Sequence, residues 1–166
     1  MNTTAPSKPL LPRLPGELVE STSFLLKRLG FAAKEQTIDA FEPTGLSAYH
    51  YAVLLVLDEG SRDTQGSIAD ALGYDRGQLV GVLDELEERG LVERRRDPND
   101  RRRHLVRLTP TGKRSLAKMR TIIEHLEAEF FAPLEADERE TLHTLLFRLM
   151  QHHDPRCALA MPPPPQ

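Results

Sequence analysis

Apolar residues recur at helical steps along most of the chain, and the rhythm stops where helix-stopping residues stand. Leu18, Leu25, Leu29 and Ala32 share one face of a segment from about Glu17 to Phe41, which Pro43 and Gly45 interrupt. This predicts one long first helix. In LSAYHYAVLLVLDEG (46–60), Ser47 is placed to cap the first turn, Leu46 and Tyr51 to staple it, and Gly60 to take a left-handed stop. Val53 to Leu57 is apolar on every side, so this helix belongs at the centre of the core. Thr64 precedes QGSIADALG, in which Ile68, Ala69 and Leu72 share a face before Gly73. Asp75 and Gln78 have capping-box spacing, and Leu79, Val82, Leu83 and Leu86 fall at i, i+3, i+4 and i+7 before Gly90. Two helices joined by a tight glycine turn have the pattern of a helix-turn-helix.

After Gly90 the period changes to two. Val92 and Arg94 alternate with Glu93 and Arg95, and Val106 and Leu108 with Leu105 and Arg107, which predicts a hairpin of two half-buried strands. Between them Asp97-Pro98-Asn99-Asp100 suits a type I turn. A helix-turn-helix followed directly by such a hairpin is the organisation of a winged helix. Thr109, with Pro110 behind it, caps a helix that runs through Met119, Ile122, Ile123 and Leu126 to Phe131, until Pro133. A last helix is expected from Asp137, its cap completed by Glu140 and its stripe made of Leu142, Leu145, Leu146 and Leu149. The first helix and the last two are longer than a wing-bearing lobe needs for its own core, and their surplus apolar faces suit packing against a second copy of the chain. The expected fold is therefore mainly α, a winged helix-turn-helix with a small β-hairpin wing and terminal helices forming a dimerisation region. Its divisions are a flexible Pro-rich tail at 1–16, a dimerisation helix at 17–45, the winged helix-turn-helix lobe at 46–109, C-terminal dimerisation helices at 110–153 and a second Pro-rich tail at 154–166.

Charge changes the picture most in RRRDPNDRRR (94–103), where six arginines surround DPND in a chain of net charge -3. From Leu91 to Thr109 seven arginines face Glu93, Asp97 and Asp100, a local excess of four that leaves the rest of the chain at -7. A basic surface on an acidic body reads as a site for a polyanion, and the hairpin puts this charge at a narrow tip. The 166 residues make one domain of ordinary size, and Cys157, the single cysteine, excludes an intramolecular disulfide. Pro6, Pro9, Pro12 and Pro15 break any signal-like stretch, and no segment approaches the ~20 apolar residues of a membrane span, so a soluble cytoplasmic protein is expected. Six histidines raise the question of a metal, but no HExxH or CxxC spacing is present, and His152, His153 and Cys157 do not make a closed ligand set. No nucleophile with a matched base, phosphate loop or paired carboxylate stands out, so neither a cofactor nor catalysis is expected.

The run from LSAYHYAVLLVLDEG through SIADALGYDRGQLVGVLDELEERGLVERRRDPNDRRRHLVRLTPTGKRSL resembles the MarR family of transcriptional regulators over roughly residues 17–152. Its most specific part is LEERGLVERRRDPNDRRRHLVRLTPTG, where helix end, wing and following cap match in order and spacing. The resemblance implies a winged-helix homodimer that binds double-stranded DNA and represses transcription until a small, often aromatic or phenolic, ligand releases it. Asp100, Arg101 and Arg102 match the family's wing-tip Asp-Arg-Arg. Arg is the side chain best suited to a narrow minor groove, which makes Arg101 and Arg102 the leading contacts and Asp100 an orienting partner. Arg94, Arg95, Arg96 and Arg103 are expected to add phosphate neutralisation. The helix from Asp75 presents Arg76, Gly77, Gln78, Val80 and Gly81 to the major groove, where Arg76 suits guanine and Gln78 adenine. Many relatives carry Ser-Thr in place of Gly77-Gln78 and a polar residue in place of Gly81, so specificity is expected to lean on groove shape as much as on base edges. The ligand pocket of relatives lies between the dimer helices and the DNA-binding lobe, where Phe24, Arg28, Phe31, Tyr49, His50 and Val53 are the candidates. The same residues also allow a dimeric interaction protein or nonspecific DNA binder, with the acidic face Asp84 to Glu88 as its partner surface.

Overall fold

The computed structural model describes residues 12–60, 63–98, 100, 104–154 and 156. The elements run α1 (Gly16–Glu20), α2 (Thr22–Phe41), a 3-10 turn (Glu42–Thr44), α3 (Ala48–Glu59), α4 (Gln65–Leu72), α5 (Arg76–Glu88), β1 (Val92–Arg96), β2 (His104–Leu108), α6 (Pro110–Phe130) and α7 (Ala136–His153). The chain divides into two compact units, residues 1–36 and 37–166.

The first unit departs from the single helix that periodicity predicts. Ser21 adopts extended backbone (φ -80°, ψ 111°), and its hydroxyl accepts a hydrogen bond from the Phe24 N–H at 3.4 Å. A serine offers the backbone this local alternative at no steric cost, so α1 ends and α2 starts where no glycine or proline marks the sequence. On α2, Leu25, Leu26, Leu29 and Phe31 are exposed.

The second unit holds the core. Val53, Leu54, Val56 and Leu57 of α3, Ile68 and Ala69 of α4, and Leu79, Val82, Leu83 and Leu86 of α5 join Leu91, Val92, Val106, Leu116 and Met119 in one cluster. Each leucine fully enclosed there contributes about 1.5–3 kcal/mol relative to exposure. Ser47, Thr64, Asp75 and Thr109 each accept the N3 backbone N–H of the helix they precede, as their spacing predicts. Gly73 turns the chain from α4 to α5 at φ 65°, a conformation that a Cβ disfavours.

β1 and β2 pair antiparallel, Val92 opposite Leu108 and Arg96 opposite His104. The hairpin is docked on its outer edge: the Val106 N–H donates to the Asp63 carbonyl at 2.6 Å, and Thr64 bridges Leu105. The start of α4 and the wing are thereby one piece. Asn99 of the expected turn and the arginines Arg101 to Arg103 that follow it lie outside the described residues.

The last helix starts at Ala136 rather than Asp137. Its cap uses Glu138, whose Oε2 accepts the Glu135 N–H at 2.8 Å, not Glu140, because the turn after α6 closes at Leu134 and leaves Glu135 as the first free position. No residue of α7 is buried, and Leu145, Leu149 and Met150 are exposed. Among the described residues no helix is long and apolar enough to cross a membrane.

Candidate nucleic-acid interface

The buried stripe of α5 fixes what the helix shows to solvent. With Leu79, Val82, Leu83 and Leu86 turned inward, Arg76, Gly77, Gln78, Val80 and Gly81 are left exposed at its N-terminal end. Asp75 accepts the Gln78 N–H at 3.0 Å, which holds that first turn in shape. The surface is part of an open cleft of about 530 Å³. Arg76 and Val80 form one wall, Thr64, Gln65, Gly66 and Ser67 at the start of α4 a second, and His104 of the wing a third. Sequence reasoning passed over the α4 wall and His104. The signal was the Thr64–Ser67 capping pair, which turns the positive end of α4 and its first-turn N–H groups toward the cleft.

The acidic back half of α5 is largely committed within the molecule. Arg94 reaches from β1 to take two of its carboxylates: its Nε donates to Glu87 Oε2 at 2.8 Å, its backbone N–H to Glu87 Oε1 at 3.1 Å, and Nη2 to Asp84 Oδ1. The Arg94 side chain is only 21% exposed. Hydrogen bonding from Arg94 holds the Glu87 carboxyl below its usual range. Glu85 faces His50 of α3 at 3.1 Å. The guanidinium of Arg94, expected to neutralise phosphate, is engaged through Nε and Nη2 in fixing the wing root to α5.

The three arginines of β1 thus occupy different settings. Arg95 is exposed and pairs with Glu93 at 3.0 Å, and Arg96 is exposed toward the tip. Asp100 is exposed. Arg101, Arg102 and Arg103 lie outside the described residues. Of the ligand candidates, Phe24, Arg28 and Phe31 belong to the first unit, where Arg28 and Phe31 are exposed. In the second unit Val53 is wholly enclosed in the core, His50 is bonded to Ser47, and Tyr49 is half exposed with its ring edge-on to Tyr74, centroids 5.3 Å apart. Among the described residues no cluster of His, Cys, Asp and Glu has the arrangement to hold a metal ion.

The Arg94 clamp makes a specific demand. Arg94→Ala leaves Asp84 and Glu87 without their counter-ion, and because both carboxylates are more than a third exposed the expected cost is about 1 kcal/mol in stability, read by thermal unfolding. DNA affinity should fall as well, and Glu87→Gln added to Arg94→Ala should restore part of it by removing a carboxylate. If the second change restores nothing, Arg94 acts directly on DNA. The clamp is complete above the ordinary carboxyl value of 4.5 and is lost as pH falls through the depressed value of Glu87.

A helix-turn-helix whose second helix exposes its first turns, beside a basic hairpin lining the same cleft, defines a winged-helix DNA-binding protein. The model of the MarR family matches residues 44–103. The chain is 34% identical over 135 residues, 81% of each protein, to the transcriptional regulatory protein for the hcr operon of Thauera aromatica. The structure of the transcriptional repressor CouR bound to a 23-mer DNA duplex superposes with a TM-score of 0.75 at 34% identity, covering 83% of this chain and 99% of that one. CouR from Rhodococcus jostii RHA1 bound to p-coumaroyl-CoA gives a TM-score of 0.70 at 31% identity, covering 85% and 97%. The chain belongs to the MarR family of transcriptional regulators.

Proposed function

We propose that the protein is a cytoplasmic, homodimeric repressor that sits on a pseudo-palindromic operator and leaves it when a small aromatic or phenolic ligand binds. The observation that carries this reading is the exposed start of α5 set in one cleft with the start of α4 and the wing. Arg76 and Gln78 read bases in the major groove, the N–H groups of α4 with Arg96 and Arg103 hold phosphates, and the tip residues Arg101 and Arg102 enter the flanking minor groove. Gly77 and Gly81 let the helix approach the groove floor without adding donors, so recognition draws on groove shape. The unpartnered apolar residues of α2 and of α7 supply the faces on which two copies pack. Release follows if the ligand favours a dimer whose two α5 helices are wrongly spaced for successive major grooves. The likeness to CouR favours a phenolic acid or its coenzyme A thioester as the ligand class. No step of this reading needs catalysis.

The competing reading, an interaction protein using the acidic face of α5, loses ground because Asp84, Glu85 and Glu87 are engaged by Arg94 and His50. Fluorescence anisotropy on DNA from upstream of its own gene and on a scrambled duplex, across a salt series, tests the choice. A regulator prefers the upstream duplex and loses affinity steeply with salt, whereas indifference to sequence at every salt concentration would sink the reading. Adding p-coumaroyl-CoA or p-coumarate to the preformed complex tests the ligand class by loss of anisotropy.

A further inference from the structure

One buried polar group is not used by the packing of the core or by the DNA-facing surface. His50, on the first turn of α3, is 5% exposed. The Ser47 backbone N–H donates to its Nδ1 at 3.0 Å, and the Ser47 hydroxyl is 2.8 Å from the same nitrogen. A backbone N–H cannot reverse its polarity, so Nδ1 is an acceptor and the ring proton of the neutral imidazole belongs on Nε2. Nε2 is sealed from solvent and lies 3.1 Å from Glu85 Oε2, off the line of a good hydrogen bond, so Glu85 satisfies it by charge alone. One turn further along, the Arg89 guanidinium lies against Gly45, where a Cβ would sit 2.8 Å from Nη1. The segment Gly45 to His50, which carries the chain from α2 into α3, therefore meets α5 at two successive turns.

We propose that His50 is the positioning residue that sets the roll of α5 through Glu85, and so aims Arg76 and Gln78 at the groove; this rests on the regulator reading above. Side-chain tips stand about 5–6 Å from a helix axis, so a roll of about 10° shifts them by about 1 Å, enough to spoil a base contact. The packing stripe alone tolerates such a roll better, because leucines adjust among rotamers, whereas a sealed N–H with one near carboxylate is penalised by any roll that carries that carboxylate away. Glu85 and Arg89 are the charged groups acting on His50, and burial together with Arg89 outweighs the upward pull of Glu85, holding the imidazole below its ordinary value of 6.5. Protonation takes the acceptor away from the Ser47 N–H while drawing Nε2 toward Glu85, so acid shifts the joint from α3 toward α5.

The test measures the ratio of affinities for the upstream and scrambled duplexes, for the wild type, His50→Gln, His50→Ala and Glu85→Ala. Glutamine keeps an acceptor for Ser47 and a donor for Glu85 without a titrating proton. Glu85 is 58% exposed, so its variant folds even if His50→Ala does not. At about pH 8, His50→Ala and Glu85→Ala should lower the ratio about tenfold, and His50→Gln should stay within about twofold of the wild type. As pH falls from about 8 through the depressed value of His50, the wild type should lose discrimination severalfold relative to His50→Gln. A Glu85→Ala protein that discriminates like the wild type overturns the proposal, as does a wild-type to His50→Gln ratio that does not move with pH. A wild type that prefers neither duplex at about pH 8 removes the regulator reading itself, an outcome separable from the other two.

Discussion

Replacing Arg101 and Arg102 together by alanine is expected to lower operator affinity on the order of 10³-fold and to flatten its salt dependence. The size follows from where the tip is carried. The strands that carry it are fixed at the root by Arg94 to α5 and along one edge by Val106 and Leu105 to the start of α4, which sets the described part of the hairpin beside α5. Strands already fixed lose little freedom on binding, so arginines that they bring to a minor groove should deliver most of their attraction as binding energy. The proposed dimer brings two wings. At about 1 kcal/mol for each of four contacts the loss comes to roughly 4 kcal/mol. Each phosphate no longer neutralised also removes about 0.9 from the slope of log affinity against log salt. Anisotropy titrations at three or more salt concentrations read both quantities, and a double variant that binds like the wild type would remove the wing from the interface.

Gly112→Ala should be the most damaging small change to the fold. Gly112 is buried in the first turn of α6, and a methyl there would lie well inside contact with the Leu91 carbonyl oxygen, with Leu108 Cδ2 at 3.2 Å. That oxygen already accepts the Thr109 N–H at 3.1 Å, while the Thr109 hydroxyl donates to the Gly90 carbonyl at 2.7 Å and accepts the Gly112 N–H at 3.0 Å. The obstacle is backbone, pinned from both sides, and cannot turn away like a side chain. Overpacking of about 1–3 kcal/mol plus a weakened cap of about 1 kcal/mol gives an expected loss of about 2–4 kcal/mol. Elsewhere in a helix the same replacement gains up to about 1 kcal/mol, and Gly81→Ala, with nothing within 4 Å, should do so. The two variants should therefore move in opposite directions in chemical denaturation. Equal stability would mean that the wing root is not held as described.

What the sequence revealed about the fold were its local rules. Ser47, Thr64, Asp75 and Thr109 sit at spacings that only a helix start explains, and the change from period 3.6 to period two after Gly90 marks the wing. Ser21 and Glu135 were missed because a serine inside a long periodic stretch, or one glutamate among several acidic neighbours, is distinguished only by which backbone N–H reaches it. The candidate site was legible in outline and not in its wiring. Arg94, Arg95 and Arg96 are three identical letters; alternation puts Arg94 and Arg96 on the face of buried Val92, and of these two Arg94 stands next to Val92 while Arg96 stands toward the tip, which was the available sign that Arg94 points inward. Its partners Asp84 and Glu87 lie across a helix end and a turn, a relation that sequence spacing does not encode. The cleft wall at Thr64 to Ser67 was hidden for the same reason, since its place beside the wing depends on the Thr64–Leu105 bridge.

The division of labour along α5 has a consequence for how such a protein changes its target. Leu79, Val82, Leu83 and Leu86 hold the helix in place and Arg94 ties its second half to the wing, so the side chains at the exposed positions 76, 78, 80 and 81 carry little of the fold, while Gly77 stays bound to it because a Cβ there would lie 3.0 Å from the capping Asp75 carboxylate. Reading and folding are encoded in largely separate letters of one helix. Mutations at the four exposed positions can accumulate without passing through an unfolded ancestor, which makes operator preference the most freely evolvable property of the chain and the simplest one to re-engineer.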